Sequence, residues 1–127
     1  MTLREYFQST QGRCVLATSD AKGLVDVAIY SRPHVIDEET VAFIMLDRLS
    51  HANLQSNPHA AFLFMEAGEK YIGKRLMLTK IKEEEDQELI EKFRKKKSYD
   101  LPDDNTKKRF LVYFHVDKIL PLIGDHE

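Results

Sequence analysis

Apolar residues recur along this chain at two different spacings, and the switches between them mark its elements. Leu3, Tyr6 and Phe7 follow Thr2 at helical spacing, with Glu5 three residues after the threonine, so a capping box opens a short helix that Gly12 ends. Residues 13–19 read as a buried strand through Cys14-Val15-Leu16-Ala17, and Asp20-Ala21-Lys22-Gly23 as a turn with glycine where the backbone takes a positive φ. Residues 25–36 predict the next strand. Val25, Val27 and Ile29 alternate there with Asp26, Ala28 and Tyr30, and Pro33 marks a sheet edge, bulge or bend. A polar turn, Asp37-Glu38-Glu39-Thr40, leads into an almost wholly apolar strand at 41–46.

A short helix follows, then the breaker Asn57-Pro58 and a phenylalanine-rich strand at 60–66. Gly68 and Gly73 mark turns or a kink. Residues 75–82 predict a fifth strand, with Leu76, Leu78 and Ile81 set among Arg75, Lys80 and Lys82. Residues 83–97 predict a helix with Leu89, Ile90 and Phe93 on its apolar face, an acidic start and a basic end, as the helix dipole favours. A polar loop at 98–108 separates it from a last strand at 109–118, carried by Phe110, Val112, Phe114 and Val116. Six strands joined mostly by short turns, with three helices too short to form a layer, predict a mainly β protein with flanking helices, a small antiparallel barrel. The alternative, a ferredoxin-like α+β sandwich, needs longer helices between strand pairs.

Composition narrows the function more than the fold. The 127 residues fit one domain, residues 1–127, with a real core. A net charge of -2 gives no electrostatic case for nucleic acid or an anionic membrane, and no apolar run reaches the length of a membrane span. The first residues carry no signal-peptide pattern, and the single cysteine, Cys14, lies in an apolar run as an inert thiol and makes no intrachain disulfide. The expected location is the cytoplasm. His34, His51 and His59 do not combine with a carboxylate at metal-ligand spacing, so no metal site is expected. The run Arg94-Lys95-Lys96-Lys97 is offset by Glu83-Glu84-Glu85-Asp86 and reads as a solvated helix face. No nucleophile–base–acid trio or glycine-rich phosphate loop appears, and no catalytic side chain is assigned.

Candidate chemistry concentrates in residues 46–58, a short helix wedged between two strands. Arg48 supplies a fixed charge, Ser50 is placed to cap the helix, and His51 and Asn53 fall in its first turn. Free backbone N–H groups and the helix dipole at such a turn favour an anion, and a phosphate there would meet several donors at once. A plain connector helix with a capping serine and a solvated arginine is the competing reading.

Three features in order along nearly the whole chain resemble the pyridoxamine 5′-phosphate oxidase-like, FMN-binding split-barrel family. The first is Val15-Leu16-Ala17-Thr18-Ser19-Asp20-Ala21-Lys22-Gly23, similar to the family's opening ATxDxxG. The second is the strand from Val25 to Pro33 followed by the apolar strand from Val41 to Leu46. The third is Ser50-His51-Ala52-Asn53-Leu54-Gln55-Ser56-Asn57-Pro58-His59-Ala60-Ala61-Phe62, like the family's helix, Asn/Asp-Pro break and apolar strand. A subgroup of short members also looks close, including Ser31-Arg32-Pro33-His34.

The resemblance implies a homodimer, with FMN in a groove at the subunit interface. Ala28, Ile29, Tyr30 and Ser31 would lie along the isoalloxazine ring and ribityl chain, Ile44 and Met45 would line the same groove, and Arg48, Ser50 and His51 would hold the 5′-phosphate. It implies a flavin-dependent oxidoreductase acting on a small substrate. The alternatives are a non-enzymatic flavin or haem carrier or electron-transfer protein, with His34 or His51 as the axial ligand to haem, and a groove filled by side chains. The true oxidases carry an arginine early and a lysine late on the flavin-contacting strand, where this chain has Ala28 and Pro33. Their basic pair at the phosphate helix is Ser50-His51 here, and their C-terminal segment over the pyridoxine substrate has no counterpart. Pyridoxamine phosphate oxidation is therefore not expected. Phosphate charge would fall to Arg48, to Arg32 if the bend turns it inward, or to Lys74 or Arg75 of a second copy.

Overall fold

A computed structural model describes residues 1–95 and 108–125; the predicted polar loop falls almost wholly outside them. Helix α1 (Leu3–Ser9) opens with the predicted capping box: the Thr2 hydroxyl accepts from the Glu5 N–H, and the Glu5 carboxylate accepts from the Thr2 N–H. The helix ends at Ser9, and Gly12 instead begins β1 (Gly12–Ser19), where a Cβ would stand 2.3 Å from the Met65 carbonyl oxygen. The turn after β1 is the predicted one, with Gly23 at φ 87° and the Asp20 carboxylate accepting the N–H groups of Lys22 and Leu24.

The predicted strand at 25–36 is two strands. β2 (Val25–Tyr30) and β3 (His34–Asp37) are separated at Ser31–Arg32–Pro33, where proline offers no N–H to a ladder. β4 (Thr40–Leu46), α2 (Leu49–Ser56), β5 (His59–Glu66), β6 (Gly73–Glu84), α3 (Gln87–Lys95) and β7 (Arg109–Pro121) complete the order. All pairings are antiparallel in one sheet, β2-β1-β5-β6-β7-β4-β3, so there are seven strands rather than six and no ladder closes the sheet. The two edge strands are nonetheless joined by three residues, a reach of about 14 Å over four Cα steps. The sheet must therefore coil until its edges approach, which makes a barrel with an open seam.

Alternation sorts the strands into two faces. Inside lie Leu16, Phe43, Met45, Phe62, Phe64, Leu76 and Phe114, with Leu3 and Phe7 of α1 packed on them. Outside, α3 covers β4 and β7, where Ile90 buries against Ala42 and Leu111 beside Ile44, Leu89, Phe93 and Tyr113. This is the apolar helix face read from the sequence, but α3 starts four residues later than predicted. Glu83 and Glu84 are still strand, paired with Val112 and Leu111, and the Asp86 carboxylate then accepts the N–H groups of Glu88 and Leu89 as an N-cap does. Among the described residues no helix is long and apolar enough to cross a membrane.

Candidate functional site

Helix α2 differs from the other helices in burying a largely polar face. Ser50, His51, Asn53 and Leu54 are buried, at the helical spacing that forms one side. Each polar member reaches a different neighbour. Asn53 donates to the Thr18 hydroxyl of β1 at 3.0 Å. The Ser50 hydroxyl is hydrogen-bonded to Tyr30 at the end of β2. His51 Nε2 lies 3.0 Å from Glu83 of β6, and its ring stacks on Phe110 of β7 at 3.8 Å and 13°. Among the described residues no buried side-chain nitrogen or oxygen lacks a partner. Hydrogen bonds to three strands and a ring stack on a fourth, more than apolar packing, therefore fix the position of this helix.

The cap itself is not the predicted one. Arg48 is the N-cap, with extended backbone at φ -134° and ψ -169° and no side-chain cap bond, and the first helical bond runs from the Ala52 N–H to the Arg48 carbonyl. Ser50 is one residue into the helix with its hydroxyl turned inward. Asn53 is likewise past the first turn, aimed at the core. The helix's own geometry leaves the N–H groups of Leu49, Ser50 and His51 without intrahelical acceptors. Around them stand the exposed Arg48 and Asp47 and the inward Tyr30.

Tyr30 sits edge-on to Phe43 at 5.9 Å, and burial pushes its phenol above the ordinary value even though Ser50 and Arg48 pull the other way. It is a neutral hydrogen-bonding group at neutral pH. Ala28 shares its inward face, while Ile29 is 62% exposed on the outside. β2 pairs only with β1, so the backbone groups along its other edge have no ladder partner. Ile44 and Met45 do not converge as side chains. Neighbours on a strand point to opposite faces; Ile44 lies under α3 and Met45 is wholly buried inside.

Three of the suggested auxiliary cations have other work. Arg32 donates to the carbonyls of Phe7 and Thr10, closing the C-terminus of α1. Lys74 lies over the Tyr6 ring, and Arg75 donates to the carbonyls of Pro121 and Gly124. Of the imidazoles weighed as axial ligands, His34 is buried beside Phe93, and His51 is engaged by Glu83. Glu83 is the residue the sequence reading missed. Its carboxylate also accepts from Lys80 at 2.6 Å and from Gln55 at 3.0 Å. Burial would raise its pKa, yet these hydrogen bonds and the one from His51 bring it down to about 2. Gln55, four residues after His51, was the available signal, since the pair must share a helix face.

Neither a family model nor a curated protein matches the sequence. Solved structures do. An FMN-binding protein from Syntrophomonas wolfei superposes with a TM-score of 0.75 at 20% identity, covering 95% of this chain and 84% of its own. HupZ of Group A Streptococcus gives 0.74 at 18% identity, with 98% and 94% covered. A Clostridium acetobutylicum protein related to general stress protein 26, of the pyridoxinephosphate oxidase family, gives 0.64 at 13% identity, with 92% and 83% covered. At these identities the likeness establishes the fold.

Proposed function

We propose that this chain, which has the fold of FMN-binding and pyridoxamine 5′-phosphate oxidase-like split barrels, is an FMN-binding flavoprotein that works as a homodimer. The observation that carries the cofactor reading is the start of α2. Three N–H groups without intrahelical acceptors, the positive end of a helix dipole and the exposed Arg48 at the N-cap are gathered at the start of α2, whose Ser50 is bonded to Tyr30 at the end of the edge strand β2. That donor set fits a phosphate monoester. The edge of β2 through Ala28 to Tyr30, with Ser31 just beyond it, offers backbone donors and acceptors to a flat heterocycle. When bound, FMN supplies hydride or electron transfer, and the chain supplies binding, orientation and electrostatics. We read the activity as that of an oxidoreductase on a small substrate in the cytoplasm. A carrier or electron-transfer role is the alternative that shares this site. Flavin is preferred to haem because both candidate imidazoles, His34 and His51, are packed inside.

The homodimer reading rests on the outer face of the sheet. α3 covers that face over β4 and β7, whereas none of the described residues forms such a cover over β2, β1, β5 and β6. There Val25, Val27 and Ile29 are 74%, 65% and 62% exposed, and they register with Ser19, Ala17 and Val15. Ala17 and Val15 register in turn with Ala61 and Leu63, and Ala61 with Met77. An apolar patch of this continuity marks an association surface, and a second copy matches it by symmetry.

Arg48→Ala tests the phosphate end directly. The side chain is exposed, so the fold should stand, while affinity for FMN should fall by about tenfold or more, as expected for loss of a charge-assisted phosphate contact. Riboflavin, which lacks the phosphate, should bind both proteins alike. Equal losses for the two ligands in a fluorescence titration would remove Arg48 from the phosphate role.

A further inference from the structure

We propose that His59, Thr79, Asp117 and His115 form a proton-sensitive margin of the outer sheet face, and that a second copy of this chain leaves that face when both imidazoles are charged. This inference rests on the homodimer reading given above.

The four residues come from three neighbouring strands. His59 of β5 registers with Thr79 of β6, and Thr79 with His115 of β7, so these three share one face. A bulge adds the fourth. Val116 pairs with Leu78 and Lys118 with Met77, which leaves Asp117 as the extra residue of β7. Its carboxylate accepts from the Thr79 hydroxyl at 2.5 Å and from His115 Nδ1 at 2.7 Å. These two bonds hold the Asp117 carboxyl below the ordinary carboxylate range. The Thr79 hydroxyl has a single proton, and Asp117 receives it. His59 Nδ1, 3.3 Å from the same hydroxyl oxygen, is therefore the donor in that contact. Neutral His59 thus carries its proton on Nδ1, and Nε2 is the atom that takes a second one.

One carboxylate here serves two imidazoles. Its hydrogen bond raises His115 above the ordinary value, and the resulting imidazolium is neutralised by Asp117. A proton on His59 has no second carboxylate in the row and leaves it with a net positive charge. The neighbouring charges do not offset this. Lys118 beside Met77 and Arg75 beside Leu63 are cations, while Asp37 and Glu39 act on His115, from the turn before β4. On the β1 side the face carries Ala17 and Val15. His59 is two residues from Ala61 on the same face, so it borders the apolar row of Val27, Ala17, Ala61 and Met77. A second copy seated on that row brings the same charge to the same margin, where like charges repel and lose hydration. The separated copies therefore bind the proton better than the pair does. Association weakens as pH falls through the range in which histidine becomes charged.

Sedimentation at about pH 7.5 and about pH 5.5 tests this, with circular dichroism to confirm the fold at both. The dissociation constant of the unsubstituted dimer should rise about tenfold or more at the lower pH, the scale of an added like-charge contact. His59→Gln keeps an amide donor for Thr79 but cannot become charged, and His59 is exposed, so the fold should stand. The dissociation constant of this variant should hold within about twofold across the same range. A His59→Gln dimer that weakens as much as the unsubstituted one overturns the role of the row. An unsubstituted dimer insensitive to pH overturns it as well, and leaves the homodimer reading standing. Should the chain be monomeric at both pH values, the homodimer reading fails and the proton-sensitive margin fails with it.

Discussion

Replacing Phe43 with alanine should cost about 3–5 kcal/mol of folding stability, the range for truncating a buried phenylalanine. Phe43 is 2% exposed and joins the core to the candidate site. Its ring packs 5.1 Å from Phe62 and 5.8 Å from Phe114 on one side, and edge-on to Tyr30 on the other. Removing it opens a cavity that these rigid rings cannot close, and it takes away the surface that fixes the inward pose of Tyr30. Chemical denaturation should show the drop in midpoint, and flavin affinity of the fraction still folded should fall as well. A loss below about 1 kcal/mol would mean that the barrel interior repacks, and that Tyr30 is not held by this contact.

Val27→Asp should leave the chain folded and abolish the proposed dimer. Val27 lies in the middle of the exposed row on β2 and is 65% exposed in one chain, so a charge there meets water rather than the core. In a two-fold interface each substitution occurs twice, and an unpaired carboxylate buried against apolar surface costs several kcal/mol. Sedimentation should show a species of twice the chain mass for the unsubstituted protein and a monomer for the variant, with flavin retention lost in parallel. A variant that remains dimeric would move the interface elsewhere.

Most of the barrel was legible in the sequence because its strands alternate cleanly. Inward Leu16, Phe62, Phe64 and Phe114 are separated by outward residues, and that periodicity survives whatever the strands pair with. Pro33 was legible as a break, but its consequence was not. Local pattern cannot reveal that β2 and β3 lie at opposite edges of one sheet, since edge position depends on long-range pairing. The extension of β6 through Glu84 was hidden for a similar reason: an acidic run resembles a helix start, and only its pairing with β7 holds it extended. Within α2, residue types singled out the polar positions but pointed to the wrong cap. Ser50 has the side chain of a cap, yet its hydroxyl is turned to Tyr30 and the extended backbone belongs to Arg48. Glu83 was invisible because its three donors come from α2 and from its own strand, brought together only by folding.

The central claim is that this chain holds a phosphate-bearing flavin. Its most direct test is the absorbance spectrum of protein soaked in FMN and then desalted. The account predicts that paired flavin bands remain with the protein, with flavin and chain in equal molar amounts. A colourless protein after the same treatment would contradict it.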